Sequence, residues 1–176
     1  MNATLEEKLH WILGRRSIRQ FAPGDVSEAQ VRQLLEAAMA APSAVARDPW
    51  RFVVVRQRPT LSRLATVLAN GDMLQSAALA IVVCGDLDAA HDRQLSYLLQ
   101  DCSAAIENLL LAAHTLGLGA CWLGVHPRED RLRHFKEVLG LPATVLPVAC
   151  LAVGLPAEHK KPRTRFNAAC VHFETW

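Results

Sequence analysis

The stretch Asn108-Leu109-Leu110-Leu111-Ala112-Ala113-His114-Thr115-Leu116-Gly117-Leu118-Gly119-Ala120-Cys121-Trp122-Leu123-Gly124 decides the fold. Its first part closes the longest helical candidate, Asp92 to Leu116, in which Leu95, Leu98, Leu99, Cys102, Ile106, Leu109, Leu110 and Ala113 cover more than one face. A helix apolar over so much of its circumference belongs in the middle of a fold. Gly117-Leu118-Gly119 ends it, and Ala120-Cys121-Trp122-Leu123 reads as a strand.

Downstream, Glu129 to Leu139 predicts an exposed amphipathic helix and Val145 to Val153 a buried strand, with Pro147 at an edge or bulge. The uncharged run from Val138 to Ala157 could be mistaken for a membrane span. Pro142, Pro147, Gly154 and Pro156 interrupt it, and its β-branched centre suits a buried strand. Upstream, Leu79-Ala80-Ile81-Val82-Val83-Cys84 is a fully apolar central strand, and Phe52-Val53-Val54-Val55 is another. Thr60 to Leu68 predicts a helix, set off by the turn Asn70-Gly71-Asp72. Ser27-Glu28-Ala29-Gln30 is a capping box, opening a helix with Val31, Leu34, Leu35 and Ala38 on one face that stops before Pro42. Leu5, Leu9, Ile12 and Leu13 mark a first short helix ending at Gly14. With no repeat or linker, this order predicts one α/β or α+β sandwich domain over residues 1–176.

The chain is 51% apolar with only 6% aromatic residues, which is rich for a small soluble monomer and hints at surface buried in an oligomer. A net charge of +2 argues against nucleic acid or an anionic membrane as a partner of the whole surface, so anion affinity must be local. Two clusters supply it: Arg15-Arg16-Ser17-Ile18-Arg19 and Lys160-Lys161-Pro162-Arg163-Thr164-Arg165. Guanidiniums with a hydroxyl make a donor-only surface suited to phosphate, and both clusters are most simply used on one anionic ligand. Cys84, Cys102, Cys121, Cys150 and Cys170 have neither zinc nor redox spacing and read as reduced core thiols. Met1-Asn2-Ala3-Thr4-Leu5-Glu6-Glu7 lacks a secretory pattern, so a cytoplasmic protein is expected.

Four motifs in order carry a resemblance: Arg15 to Phe21; Ala41-Pro42-Ser43 with Pro49-Trp50-Arg51-Phe52-Val53-Val54; Asn108 to Ala113; and Gly117 to Gly124. Together they resemble the FMN-dependent nitroreductase family over nearly the whole chain. The resemblance implies an α+β fold, an α-β sandwich with a mostly antiparallel central sheet flanked by helices. It further implies a domain-exchanged homodimer with two FMN sites at the subunit interface, the tail from about residue 155 contacting the partner.

Carried onto this sequence, the family's phosphate and ribityl contacts fall on Arg15, Arg16 and Ser17, and its C-terminal basic pair on Arg163 and Arg165. Arg19 falls at the pyrimidine edge of the flavin, where a guanidinium favours the reduced state. Pro42, Ser43 and Ala44 correspond to the loop supplied by the second subunit, Asn70 to a loosely aligned amide at the pyrimidine edge, and Leu123 and Gly124 to the strand end beside the reactive nitrogen. Trp50 reads as an anchor of that loop in the core, and His126 as a residue able to face substrate. Ala46 and Asp48 depart from the amides the family often carries, and Asp72 stands where a lysine is sometimes found.

No glycine-rich phosphate loop, nucleophile elbow or paired-histidine metal motif competes. The expected activity is transfer of electrons from NAD(P)H through bound FMN to a nitroaromatic, quinone or similar small acceptor, by a ping-pong mechanism. Alternatives are specialised chemistry on the same fold (dehalogenation, dehydrogenation or flavin fragmentation) and a non-enzymatic flavin-binding protein.

Overall fold

The computed structural model describes residues 4–176; the opening Met1-Asn2-Ala3 and the side chains of residues 5–8 lie outside the described residues. Five helices and five strands follow in the order α1 (Leu5–Leu13), β1 (Phe21–Ala22), α2 (Glu28–Met39), β2 (Trp50–Val55), α3 (Arg58–Ala65), β3 (Leu79–Asp86), α4 (Leu95–Thr115), β4 (Gly119–Gly124), α5 (Glu129–Leu139) and β5 (Val145–Pro156). Strand β5 is the centre of the sheet: β3 lies along one side and β4 along the other, β2 is beyond β3, and β1 pairs with the far end of β5. Every strand pair is antiparallel. This is the nitroreductase-like α+β sandwich that the motifs imply.

Strand period explains the two layers. Leu79, Ile81 and Val83 of β3 pack with Leu34 of α2 and with Leu98, Ile106 and Leu109 of α4. Ala80, Val82 and Cys84 point the other way, to Leu61 and Leu64 of α3 and Phe135 of α5. A strand covered on both faces has no polar alternation to keep, which is why β3 reads as an uninterrupted apolar run. The expected capping box is formed, the Ser27 side chain accepting from the Gln30 amide at 3.2 Å while the Gln30 side chain accepts from the Ser27 amide at 3.0 Å.

Pro147 is accommodated as expected, at a bulge: Val83 opposes Ala149 while Cys84 opposes Pro147, leaving Val148 over. The carbonyl of Val148 turns toward β4, where it accepts the amides of Val125 at 3.2 Å and His126 at 3.1 Å. The run from Val138 to Ala157 is the end of α5, a turn and β5, and among the described residues no helix is long and apolar enough to cross a membrane.

Cys84, Cys102, Cys121 and Cys150 are buried, as core thiols should be. Burial pushes the thiols of Cys84, Cys102 and Cys150 up to about 12, so they stay protonated and inert at neutral pH. Cys170 departs from the expectation: it lies exposed on the tail, at the end of the 3₁₀ turn Ala168–Cys170. Helix α1 departs too, because Leu9, Ile12 and Leu13 remain about half exposed within one chain.

Candidate functional site

The site begins where α1 ends. The Gly14 amide donates to the carbonyl of His10 at 2.7 Å, and a Cβ on Gly14 would sit only 2.8 Å from Nε2 of His114. Glycine is needed there for α1 to approach α4 so closely. The chain then runs beside β4: Ser17 makes a parallel bridge to Ala120, and the Ile18 amide donates to the Ala120 carbonyl at 3.0 Å. A second glycine permits this contact, since a Cβ on Gly119 would meet Ile18 at 2.7 Å.

The tail after β5 folds back over this segment. Lys160 Nζ donates to the Ser17 carbonyl at 2.8 Å, the Arg16 guanidinium donates to the Lys161 carbonyl, and the Arg163 amide donates to the Leu13 carbonyl at 3.4 Å. The pairing of β1 with the end of β5 brings the two basic clusters together. Between them opens a cavity of about 320 Å³, lined by Arg15, Arg16, Lys160, Glu158, His10 and His114 among others. Arg15 is steadied by Glu107 of α4, Nε to Oε1 3.2 Å. Burial, then the charges of His10 and Arg15, hold the His114 imidazole below its ordinary value, so it adds no positive charge to the cavity at neutral pH.

Glu158 is the latch of this tail. Its Oε1 accepts from the Arg19 amide at 2.6 Å and lies 3.0 Å from Lys160 Nζ. The Arg19 amide first, and Lys160 after it, hold this carboxyl below the ordinary carboxylate range. A depressed carboxylate contributes stability that is present above its unfolded value and is lost as pH falls through the folded one. The latch is therefore closed at neutral pH and opens only on acidification below the usual carboxylate range. In limited proteolysis, Glu158→Gln protein should lose its tail at pH 7 at a rate the unmutated chain reaches only in acid; equal rates at pH 7 would refute the latch.

Strand β4 reaches the cavity at Ala120. The Val125 amide donates to the Val148 carbonyl of β5, so by the two-residue alternation Leu123, Cys121 and Gly119 point their backbone groups into the ladder. Ala120, Trp122 and Gly124 point theirs outward. Ser17 and Ile18 cover Ala120, whereas the amides of Trp122 and Gly124 have no partner among the described residues. A Cβ on Gly124 would meet nothing within 4 Å. The Gly124 carbonyl accepts Nη1 of Arg131, on α5, at 2.6 Å.

The sequence-predicted residues divide accordingly. Arg15, Arg16 and Ser17 meet the tail at the cavity, and Arg19 lies at the Glu158 latch, Nη1 reaching the Ser17 carbonyl at 3.5 Å. Arg163 touches α1 through its amide, while its side chain and Arg165 are exposed on the tail. Leu123 is buried with its amide in the ladder, so Gly124 and the unforeseen Trp122 amide form the open edge.

Pro42, Ser43 and Ala44 do not line their own chain's cavity. They begin a tight loop in which the Ala44 amide donates to buried Asp101 at 2.9 Å and Ser43 Oγ donates to Asp48 at 2.6 Å. The Asp48 carboxylate is thus engaged within the loop, and Ala46 and Asp48 both hold left-handed backbone, with φ of 51° and 50°. Trp50 is 6% exposed and anchors the loop's end in the core. Asn70 precedes the 3₁₀ turn Gly71–Gln75 and, like exposed Asp72, lies outside the cavity; His126 is half-buried just past β4.

The model of the Nitroreductase family matches residues 12–71 and 58–155. This chain belongs to the nitroreductase family. A protein of Archaeoglobus fulgidus that carries the provisional name NADH dehydrogenase/NAD(P)H nitroreductase is 41% identical over 175 residues, covering 98% of this chain and 100% of that one. A similarly named crystal structure from Parabacteroides distasonis superposes with a TM-score of 0.90 at 38% identity, covering 96% of this chain and 98% of that one. A provisionally named nitroreductase of Desulfovibrio desulfuricans, solved in complex with FMN, gives a TM-score of 0.82 at 34% identity, with 96% of each chain covered. In this nitroreductase the basic segment after the first helix and Ala120 of β4 line one cavity.

Proposed function

We propose that this nitroreductase-family chain is a homodimeric FMN-dependent oxidoreductase that moves electrons from NAD(P)H to an electron-poor acceptor such as a nitroaromatic or a quinone, in ping-pong order. The observation that carries the reading is the convergence of Arg15, Arg16 and Lys160 on one cavity that Ala120 of β4 also lines. A flavin mononucleotide has a dianionic phosphate at one end and a planar ring rich in hydrogen-bond acceptors at the other. The donor set fits both: guanidiniums and an ammonium for the phosphate, unpaired amides and an unobstructed glycine for the ring. Relatives whose names or structures include FMN and NAD(P)H support the same cofactor and donor.

In this reading Arg15, Arg16 and Ser17 hold the phosphate, with Arg163 and Arg165 closing from the tail. Arg19 holds the pyrimidine edge, and the amides of Trp122 and Gly124 orient the ring along β4. FMN, when bound, takes a hydride from the nicotinamide and delivers the electrons to the second substrate. The protein's share is therefore placement, electrostatics and exclusion of water, and among the described residues no cluster suited to a metal ion adds to it.

The second subunit would supply Pro42, Ser43 and Ala44 and cover the apolar groove between α1, α2 and α4, where Trp11, Ile12, Ala37, Ala40, Leu111 and Ala112 lie open. The tail carries Phe166, Phe173 and Trp176 exposed to solvent in one chain, which suits burial against a partner. In anaerobic stopped flow the bound flavin should bleach on mixing with NADH or NADPH and recover on adding a quinone. A flavin that neither donor bleaches would sink the reading.

A further inference from the structure

We propose that Arg131 is the electrostatic positioning residue of the open β4 edge: it fixes Gly124 through its carbonyl and sets a half-buried positive charge there, so that the more negative, reduced state of the cofactor is held more tightly than the oxidised state. The inference rests on the FMN reading above. Three features of the chain carry it.

First, Gly124 ends β4 with its carbonyl directed away from β5, and the carbonyl's partner is Arg131 Nη1 at 2.6 Å. A charge-assisted bond of that length fixes the Gly124–Val125 peptide on the same outward side of the strand as the unpaired Gly124 amide, and places the guanidinium beside that amide. Second, Nε of Arg131 is buried and has no hydrogen-bond partner, and among the described residues no carboxylate lies within ion-pair distance of the guanidinium. A half-buried guanidinium with one nitrogen out of water, no partner carboxylate and a single neutral acceptor carries a cost that its helix does not offset, so its position calls for an explanation outside the core. Third, packing leaves the cation little freedom. Arg131 sits in the first turn of α5, and α5 is locked by Phe135, which is 0% exposed between α3 and the sheet.

A fixed charge held partly out of water interacts more strongly with charge that develops nearby than the same charge in solvent. Two-electron reduction of a flavin adds negative charge to the ring, and the open edge above Gly124 is where this reading lays the ring. Arg131 then favours reduction without touching the cofactor. On sequence alone Arg131 looked like one more charge on an exposed helix.

The test measures the midpoint potential of FMN in the holoenzyme by dye equilibration, together with the dissociation constant of oxidised FMN by fluorescence. Arg131→Gln keeps a donor for the Gly124 carbonyl and removes the charge. It should weaken binding of reduced FMN about tenfold relative to oxidised FMN, a fall of about 30 mV for a two-electron couple, while Arg131→Lys stays near the unmutated potential. A third variant, Arg131→His, should regain potential relative to the unmutated protein as pH falls through the imidazole range. A folded Arg131→Gln with an unchanged potential, or an Arg131→His whose potential parallels the unmutated protein at every pH, overturns the proposal. An unmutated chain that binds no FMN overturns the functional reading instead, before any variant is made.

Discussion

Purified protein carrying both Arg15→Ala and Arg16→Ala is expected to be colourless where the unmutated chain is yellow. Both guanidiniums line the cavity, and the tail and α4 already orient them through Lys161 and Glu107. Each would make charge-assisted hydrogen bonds to a phosphate, worth about 1.5–3 kcal/mol apiece. Removing both should weaken FMN binding by about 10²–10⁴-fold on titration of the apoprotein. Loss of the Arg16 clamp on Lys161 adds to this by loosening the tail. The fold should survive, because neither side chain is part of the core, so a melting temperature equal to that of the unmutated apoprotein distinguishes a lost site from a lost protein. A dissociation constant within threefold of the unmutated value would place the phosphate elsewhere.

Phe135→Ala should have the largest effect on stability. The ring is fully buried among Leu61, Leu64 and β-strand residues of the second core. Truncation of a buried phenylalanine costs about 3–5 kcal/mol, from lost transfer energy and the cavity left behind. For a chain of this length that lowers the melting temperature by about 6–20 °C, measured at one protein concentration because dimerisation would shift it. The consequence reaches the site, since α5 carries Arg131 under Gly124. A fall of less than about 3 °C would mean that α5 docks by other contacts.

Much of the fold was legible in local pattern. Helix α5 runs from Glu129 to Leu139 as its amphipathic spacing predicts, and the Ser27 capping box starts α2. Where the pattern missed, a neighbouring constraint prevailed. Helix α3 spans Arg58–Ala65 instead of Thr60 to Leu68, because Pro59 suits a first helical turn and draws the start back. Helix α4 begins at Leu95, not Asp92, since Asp92 and Arg93 adopt left-handed backbone at φ of 49° and 52°. Strand β5 continues past Val153 to Pro156 because β1 pairs with its last two residues, a contact between positions about 135 residues apart that no local pattern announces.

The site was half legible. The two basic clusters, the loop at Pro42 and the glycine ending β4 are composition and motif, and those belong to the sequence by itself, as do the strand period, the central helix and the family. Which backbone amides of β4 face outward is a matter of register: pairing Val125 with Val148 turns Leu123 inward and leaves Trp122 and Gly124 free. A change of one residue in that register would reverse the set, and neither residue type reveals it. The meeting of Lys160 with Ser17 and of Arg131 with Gly124 is likewise tertiary. Each depends on chain entropy already spent in closing the sheet and docking α5, so the contact exists only once the whole fold does.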